Sequence, residues 1–429
     1  MDYHAAVAYL DAHIGAGMKP GLDRIRLLVE TMGSSHLEIP TIHIAGTNGK
    51  TSTTRLAALI LLAHGLNAGT YTSPHLQAVE ERLGIHGRSA TAEEFAQAVT
   101  DVAAFADLLE DREDVNFSYF ELTTAAALAF FADQAVEAAV VEVGLGGRLD
   151  ATNVLDADVA VLTGVDLEHM EYLGTTIEAI ATEKLAIAGP GSILVTGPLP
   201  DAAFDLAVSV ARDLGIEHRA YGRDFSVDAR AAVGGWQIDV HGAEDSYPEL
   251  RLPVHGRYQT VNAAVAVAAV EALLGRRLDK GAVDEATSAF TAPGRMEIMG
   301  REPLILIDGA HNPAGFAALS GALEEEFPTT RWVLVLGVMG DKDVEAMIDH
   351  LKGRVDSVIA TAVEGDRPMP ATELVQRIMP RVQVVVEAVG DPTAALEVAR
   401  QQAGSDGAVL VAGSIYLAGA IRAGLNGEV

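Results

Sequence analysis

Residues Thr41 to Ser52, TIHIAGTNGKTS, constrain the fold more than any other stretch of the chain. Ile42 to Ala45 is a short apolar run with β-branched residues, and Gly46 to Gly49 is a tight polar turn. Thr51 to His64 carries Leu56, Leu59 and Ile60 at helical spacing before Gly65 stops it. The order is strand, glycine loop, helix. Such a junction aims unpaired backbone N–H groups and the positive end of a helix dipole at one point, and Lys50 adds a full charge there. A nucleoside triphosphate is the natural occupant. The general phosphate-loop pattern G-x-x-x-x-G-K-[ST] is met except at its first glycine, where Ile44 stands. Gly46, Thr47, Asn48, Gly49, Lys50, Thr51 and Ser52 are therefore the candidate ATP-binding residues of the loop.

A chain of 429 residues is too long for one ordinary core and fits two to three domains. Apolar residues make up 49%, enough to bury large cores. The longest apolar runs, Leu56 to Ala63 and Ala263 to Val270, fall short of the ~20 residues a membrane span needs. The start MDYHAAVAYLDAHIG holds acids and no basic n-region, so no secretory signal is expected and the cytoplasm is the expected compartment. With no cysteine, disulfides, thiolate metal sites and a cysteine nucleophile are excluded. Sixty acidic against 30 basic side chains give a formal charge of −30. That field repels polyanions, so neither nucleic acid nor a membrane is an expected partner. It repels ATP too, so an anionic ligand must be held by local devices: a helix N-terminus, a metal ion, a few placed Lys or Arg.

Along the chain, Tyr3 to Ile14 and Leu22 to Met32 read as helices, with Gly15 to Gly21 a loop between them. After the phosphate-loop unit, Gly69 to Thr72 is a strand ended by Ser73-Pro74, and helices follow at Thr91 to Leu109 and Phe120 to Asp133. Ala138 to Val143 is a buried strand interrupted by Glu142, and Gly144 to Asn153 is a turn. Strand Val159 to Thr163, helix Thr175 to Ala188, strand Ser192 to Thr196 and helix Asp201 to Leu214 repeat the unit. Phe225 to Val254 reads as short antiparallel strands, and helix Thr260 to Leu274 closes this half. Pro and Gly break the pattern at Thr291 to Gly300, where a linker is expected. Strand and helix then alternate to the end. The expected fold class is α/β: a phosphate-loop parallel-sheet ATPase domain at 1–293, followed by a smaller Rossmann-like doubly wound C-terminal domain at 299–429.

Ligands of open parallel sheets bind outside the carboxyl ends of the strands, and unusual polar residues gather there. Ser73 follows one strand, Glu142 ends another, and His169 lies just beyond a third. A hydroxyl, a carboxylate and an imidazole beside a triphosphate pocket could hold Mg²⁺, although imidazole is an uncommon Mg²⁺ ligand.

The strings HIAGTNGK, TSPHL with a following ER, FEL, VEVGLGGRLDATN, EHMEYLG, EK in the next helix, APGR, DGAHNP and GSIYL occur along nearly the whole chain. In this order they resemble folylpolyglutamate synthase and dihydrofolate synthase, members of the Mur ligase superfamily. That family's loop usually continues GKGS, where this chain has Gly49-Lys50-Thr51-Ser52. The resemblance implies catalytic roles for Lys50, Lys184 and His311, with Lys50 on the β and γ phosphates. It implies Mg²⁺ at Ser73, Glu142 and His169, and adds Asn262, Arg295 and Asp308 to the ATP-binding set. Asp150 matches a position that meets the pterin, and Arg82 one that orients the acceptor. By its own sequence context Arg82 reads equally well as half of a surface ion pair. Lys184 matches a lysine that is carbamylated in the superfamily, whereas its context alone reads as an exposed helix lysine.

The activity so implied is an ATP- and Mg²⁺-dependent ligase. It would add L-glutamate to dihydropteroate, to folate (poly)glutamates, or to both, through an acyl phosphate, and release ADP and phosphate. Its partners would be these small molecules, and the chain is expected to be a monomer. Two rivals are a Mur-type amino-acid ligase with another carboxylate acceptor and a phosphate-loop switch that binds a protein partner.

Overall fold

The computed structural model describes residues 1–14, 21–34, 39–113, 115–363, 365 and 368–426. The loop expected at Gly15 to Gly21 therefore lies, Gly21 apart, outside the described residues. The chain divides into two compact units. The first comprises 1–230, 237–252 and 260–290, and the second 231–236, 253–259 and 291–429.

The first unit is built on eight strands: β1 (Thr41–Ala45), β2 (Ala68–Tyr71), β3 (Leu83–Ile85), β4 (Arg88–Ser89), β5 (Ala138–Glu142), β6 (Val159–Leu162), β7 (Ile193–Thr196) and β8 (His218–Ala220). Their spatial order is β4-β3-β2-β5-β1-β6-β7-β8. β1 pairs in parallel with β5 on one side and β6 on the other, Ile44 standing opposite both Glu142 and Val161. Every residue of β1, β5 and β6 is buried, as near-continuous apolar strands covered on both faces should be. The sheet is not wholly parallel. β3 runs antiparallel to β2 and β4 antiparallel to β3. The helix Lys50–Ala63 follows β1 directly, one residue earlier than its apolar spacing suggests. The helices Ala92–Glu113 and Tyr119–Asp133 close a core around Phe95, Phe117, Phe130 and Phe131.

The antiparallel excursion is a three-stranded sheet of β9 (Ser226–Ala232), β10 (Gly235–His241) and β11 (Ser246–Leu252). The helix Tyr258–Leu274 comes next, and a further helix, Lys280–Ala289, precedes the second unit's long segment.

The second unit holds β12 (Glu297–Arg301), β13 (Leu304–Ile307), β14 (Trp332–Leu336), β15 (Val355–Ala360), β16 (Val385–Ala388) and β17 (Ala408–Ala412), ordered β12-β13-β17-β14-β15-β16. Five strands are parallel, and β12 is an antiparallel edge. This corrects the expected linker at Thr291 to Gly300, since Glu297 to Gly300 are strand. Gly300 is not a break there but part of an irregularity in the β12–β13 register between Ile298 and Gly300, the use an edge strand often makes of glycine. Trp332, Leu334 and Leu336 centre this unit's core.

Candidate active site

The phosphate loop turns at two glycines that no other residue could replace without movement. Gly46 has φ 154°, and a Cβ there would collide with Thr163 Oγ1. Gly49, with φ 88°, is the N-cap of the helix Lys50–Ala63, and a Cβ on it would lie 2.5 Å from Asn262 Oδ1. No side chain caps this helix, so its first N–H groups are left for a ligand. The loop is pinned from the β6 side: Thr47 N–H donates to Gly164 O at 2.9 Å, and Thr163 Oγ1 donates to Asn48 O at 2.7 Å. Lys50 does not extend into solvent. It is half-buried, and Nζ donates to Gly46 O at 2.9 Å, which sets its charge over the loop.

A second lysine joins it. Lys184 is only 2% exposed, not a surface lysine, because Ile180, Ala181, Lys184 and Leu185 form the inner face of the helix Ile177–Leu185. Its Nζ donates to Gly46 O at 3.1 Å and to Glu168 Oε1 at 2.7 Å. Burial raises the Glu168 pKa, but the ammonium groups of Lys184 and Lys50 outweigh it and hold the carboxyl down to about 2. Burial pulls Lys184 below the ordinary lysine value, with Glu168 opposing and Lys50 adding to the fall. Gly46, Lys50, Glu168, His169, Lys184 and the turn from Val143 to Gly146 line one small polar cavity. His169 holds a left-handed backbone, φ 44°, at the head of the turn Met170–Leu173, a strained conformation of the kind found at binding sites. Glu168 was missed from sequence, although EH in EHMEYLG placed an acid next to a candidate ligand.

Glu142 ends β5 and is 2% exposed. Its two oxygens lie 3.0 and 2.9 Å from Thr51 Oγ1, and Oε2 accepts from Ser73 N–H at 3.3 Å. The structure thus brings Ser73 and Glu142 together and adds Thr51 to them. The Thr51 hydroxyl beside the Glu142 carboxylate offers hard oxygen donors of the kind Mg²⁺ prefers, so this pair fits that ion. Among the described residues there is no cluster of three or more His, Asp or Glu able to hold a metal.

Asp150 is buried and spends its oxygens on its own loop. It accepts from Leu145 N–H at 2.8 Å, Thr152 N–H at 3.0 Å and Thr152 Oγ1 at 2.5 Å. Burial raises its pKa against these hydrogen bonds. Thr152 Oγ1 also lies 2.8 Å from Nε2 of His43, in the middle of β1, so the turn after β5 is tied to the central strand. Arg82 forms no surface ion pair. It is 8% exposed, its Nε donates to His75 Nδ1 at 3.1 Å, and its guanidinium lies 5.2 Å from the centre of the Tyr119 ring.

In the second unit Arg295, Asp308 and His311 form their own cluster. Asp308 follows β13 and accepts from Ala310 N–H at 2.7 Å, Met296 N–H at 2.9 Å and Tyr258 OH at 3.4 Å. Burial raises its pKa and the neighbouring Arg295 lowers it. The Arg295 guanidinium packs over Gly309, where a Cβ would come within 2.8 Å of Nη1. His311 Nδ1 lies 2.9 Å from Gly309 O, a carbonyl that can only accept, so Nδ1 carries a proton.

The fold and this site define a phosphate-loop nucleotide-binding α/β protein of two units. Residues 44–270 match the Mur ligase middle domain, and residues 294–415 match the Mur ligase glutamate ligase domain. The chain is 36% identical to the dihydrofolate synthase/folylpolyglutamate synthase of Mycobacterium tuberculosis, over 94% of this chain and 89% of that protein. It is 34% identical to the folylpolyglutamate synthase of Lacticaseibacillus casei, over 100% and 99%. Among solved structures, M. tuberculosis folylpolyglutamate synthase complexed with ADP superposes with a TM-score of 0.93 at 34% identity, covering 99% of each chain. The Yersinia pestis bifunctional enzyme complexed with AMPPNP and a Mn ion gives 0.86 at 29%, covering 99% and 98%. The chain belongs to the folylpolyglutamate synthase/dihydrofolate synthase family of the Mur ligases.

Proposed function

We infer that the chain is an ATP-dependent carboxylate–amine ligase that adds L-glutamate to folates, with dihydropteroate as a second acceptor. The observation that carries this is the pairing of a phosphate-loop helix that no side chain caps with two half-buried or buried lysines on one side and, on the other, Glu142 bonded to the Thr51 hydroxyl and the Ser73 N–H.

The reaction brings two anions together. An acceptor carboxylate oxygen bonds to the γ-phosphorus of ATP, the bond to the β–γ bridging oxygen breaks, and ADP leaves an acyl phosphate. The amine of L-glutamate then bonds to the acyl carbon, phosphate departs with the C–O bonding pair, and the amine loses a proton. Lys50 supports the first step by cancelling charge on the β and γ phosphates. Asn262, Arg295 and Asp308 hold the nucleotide, and His311 acts beside them. Ser73, Glu142 and His169 would hold Mg²⁺, which supplies further charge neutralisation on the phosphates. Lys184 serves electrostatically, as a carbamate. Asp150 and Arg82 hold the acceptor. We assign the ATP-binding domain to 1–293 and the ligase domain to 299–429.

A charge of −30 supports a monomer without a nucleic-acid partner, working in the cytoplasm. Among the described residues no helix is long and apolar enough to cross a membrane. The test is ADP release by purified protein with L-glutamate and, in turn, reduced folate monoglutamate, dihydropteroate and a muramyl peptide precursor. Glutamate-dependent release with the pterin acceptors is expected. Stimulation by the muramyl compound alone would reject the assignment.

A further inference from the structure

Among the described residues, buried Arg82 has no acidic side chain as a hydrogen-bond or ion-pair partner. In a chain with 60 acidic side chains that is a marked exception. Arg219, equally buried, pairs with Glu217 at 2.6 Å and Glu244 at 2.9 Å. Among the described residues Arg82 has only His75 Nδ1 as a side-chain hydrogen-bond partner and the Tyr119 ring beneath its guanidinium. The adjoining acid is turned away: the Glu81 carboxylate accepts from Leu76, Gln77 and Ala78 N–H groups at 2.8, 3.0 and 3.1 Å and is consumed in folding that loop.

His75 meets the guanidinium through a ring nitrogen, Nδ1, 3.1 Å from Arg82 Nε. As Arg82 Nε–H donates to Nδ1, the imidazole proton sits on Nε2. A neutral acceptor on Nε fixes the plane of the guanidinium without neutralising it, and four Nη–H donors remain. Those four donors form the planar fork that matches a carboxylate with two parallel hydrogen bonds.

The location suits a substrate. Arg82 O accepts from Thr72 N–H at 2.9 Å, and the next residue, Ser73, donates to Glu142. Arg82 therefore stands at the same carboxyl edge of the sheet as Ser73 and Glu142.

We propose that His75 is a positioning residue that makes Arg82 a receptor for a substrate carboxylate, on the acceptor or on L-glutamate. The inference rests on the ligase reading above and deepens it. Among the described residues Arg82 has no carboxylate against it, and it becomes paired when the substrate carboxylate arrives. His75 sets the angle at which that fork is offered, and Tyr119 sets its height.

The experiment compares wild type, His75→Ala and His75→Asn, measuring kcat and KM separately for reduced folate monoglutamate, dihydropteroate, L-glutamate and ATP, with melting curves as a folding control. Asn carries Oδ1 where His carries Nδ1 and can take over the acceptor role. His75→Ala should raise KM for the carboxylate substrate by about tenfold, the size of one lost charge-assisted contact. KM for ATP should stay within about twofold and His75→Asn within about threefold of wild type, both well under one tenfold step. A rise for both pterin acceptors assigns the reacting carboxylate. A rise for the folate alone assigns its second, non-reacting carboxylate, and a rise for L-glutamate alone assigns the incoming amino acid. Unchanged KM values in His75→Ala, or His75→Asn behaving as His75→Ala, or an equal rise for ATP, would overturn the proposal. If wild type shows no glutamate-dependent turnover, the ligase reading fails separately. Calorimetric titration of folate monoglutamate into the three proteins then decides the role of His75: weaker binding in His75→Ala with recovery in His75→Asn supports it, and equal binding or none overturns it.

Discussion

Thr51 and Glu142 face each other across the ends of the phosphate-loop helix and β5, with one hydroxyl 2.9 and 3.0 Å from the two carboxylate oxygens. A hydroxyl has a single proton, so it serves one carboxylate oxygen at a time. If Glu142 holds Mg²⁺ as proposed, Thr51 is the residue that orients its carboxylate. Thr51→Val should raise the Mg²⁺ concentration for half-maximal ADP release by about tenfold, the effect of one lost polar contact to a charged group, while Thr51→Ser stays near wild type. Mg²⁺ titrations at saturating ATP measure this. Identical titrations for Thr51→Val and wild type would remove Thr51 from that role.

Lys50→Ala should lower kcat by at least about a hundredfold, since a preorganised charge on the transferred phosphoryl group is withdrawn. Stability should change little. The half-buried ammonium donates to backbone carbonyls of its own loop, contacts worth about 1 kcal/mol net. Melting and turnover on the same preparation separate the two effects.

Lys184 should carry a carbamate in the working enzyme. Its amine is buried and its pKa depressed, which favours the neutral form that reacts with CO₂. Addition of ¹³CO₂ to wild type and Lys184→Ala should give a carbamate carbon resonance in the first only. Short carboxylates should partly restore activity to the alanine variant, and full activity without them would exclude the role.

Stability should fall with acid well before the carboxylates titrate, because of His43. Buried in β1, it is pushed by desolvation from 6.5 down to about 3. The unfolded chain binds a proton below pH 6.5 that the folded chain refuses, so stability rises with pH through this window and is fully present only above it. His43 alone should remove about 2 kcal/mol between pH 7 and pH 5. With Lys184 uncarbamylated, as in CO₂-free buffer, Glu168 acts in the same direction but lower: its pKa is depressed to about 2, so its contribution persists above the ordinary carboxylate value and is lost as pH falls from about 5 toward 2. Urea midpoints at pH 7, 6 and 5 for wild type and His43→Gln test this, and parallel slopes in the two proteins would exclude His43 as the cause.

The strands that build the sheets were legible because they are the chain's apolar runs. Ile42 to Ala45, Ala138 to Val141 and Val159 to Leu162 are each buried end to end. The antiparallel edge β3–β4 was not: three and two residues are too few for a period to show. Lys184 shows a different limit. A lysine on a helix reads as exposed, yet Ile180, one turn earlier on the same face, already pointed inward. Glu168 gave no periodic signal at all, because its role comes from the two lysines that the fold carries to it.

Asp150 ties the substrate question to this architecture. As a pterin contact it should discriminate by hydrogen bonding, and a pocket built to accept from ring nitrogens and an amino group rejects analogues lacking them. Yet its carboxylate already accepts from Leu145 and Thr152, so it also shapes the turn that lines the Lys184 cavity. The two roles separate on substitution. Asp150→Asn keeps an oxygen for Thr152 N–H but sets an NH₂ donor against Leu145 N–H, so it should loosen the turn less than Asp150→Ala, which leaves both N–H groups unpaired and should cost about 1–3 kcal/mol of stability. If the pterin is read by this carboxylate, both variants should raise KM for dihydropteroate by more than they raise KM for ATP. If Asp150 only shapes the turn, each variant should shift KM for dihydropteroate and for ATP alike, in step with its loss of stability, and the pterin must be recognised elsewhere. Steady-state ADP release with each acceptor, alongside urea unfolding of the same variants, distinguishes these outcomes.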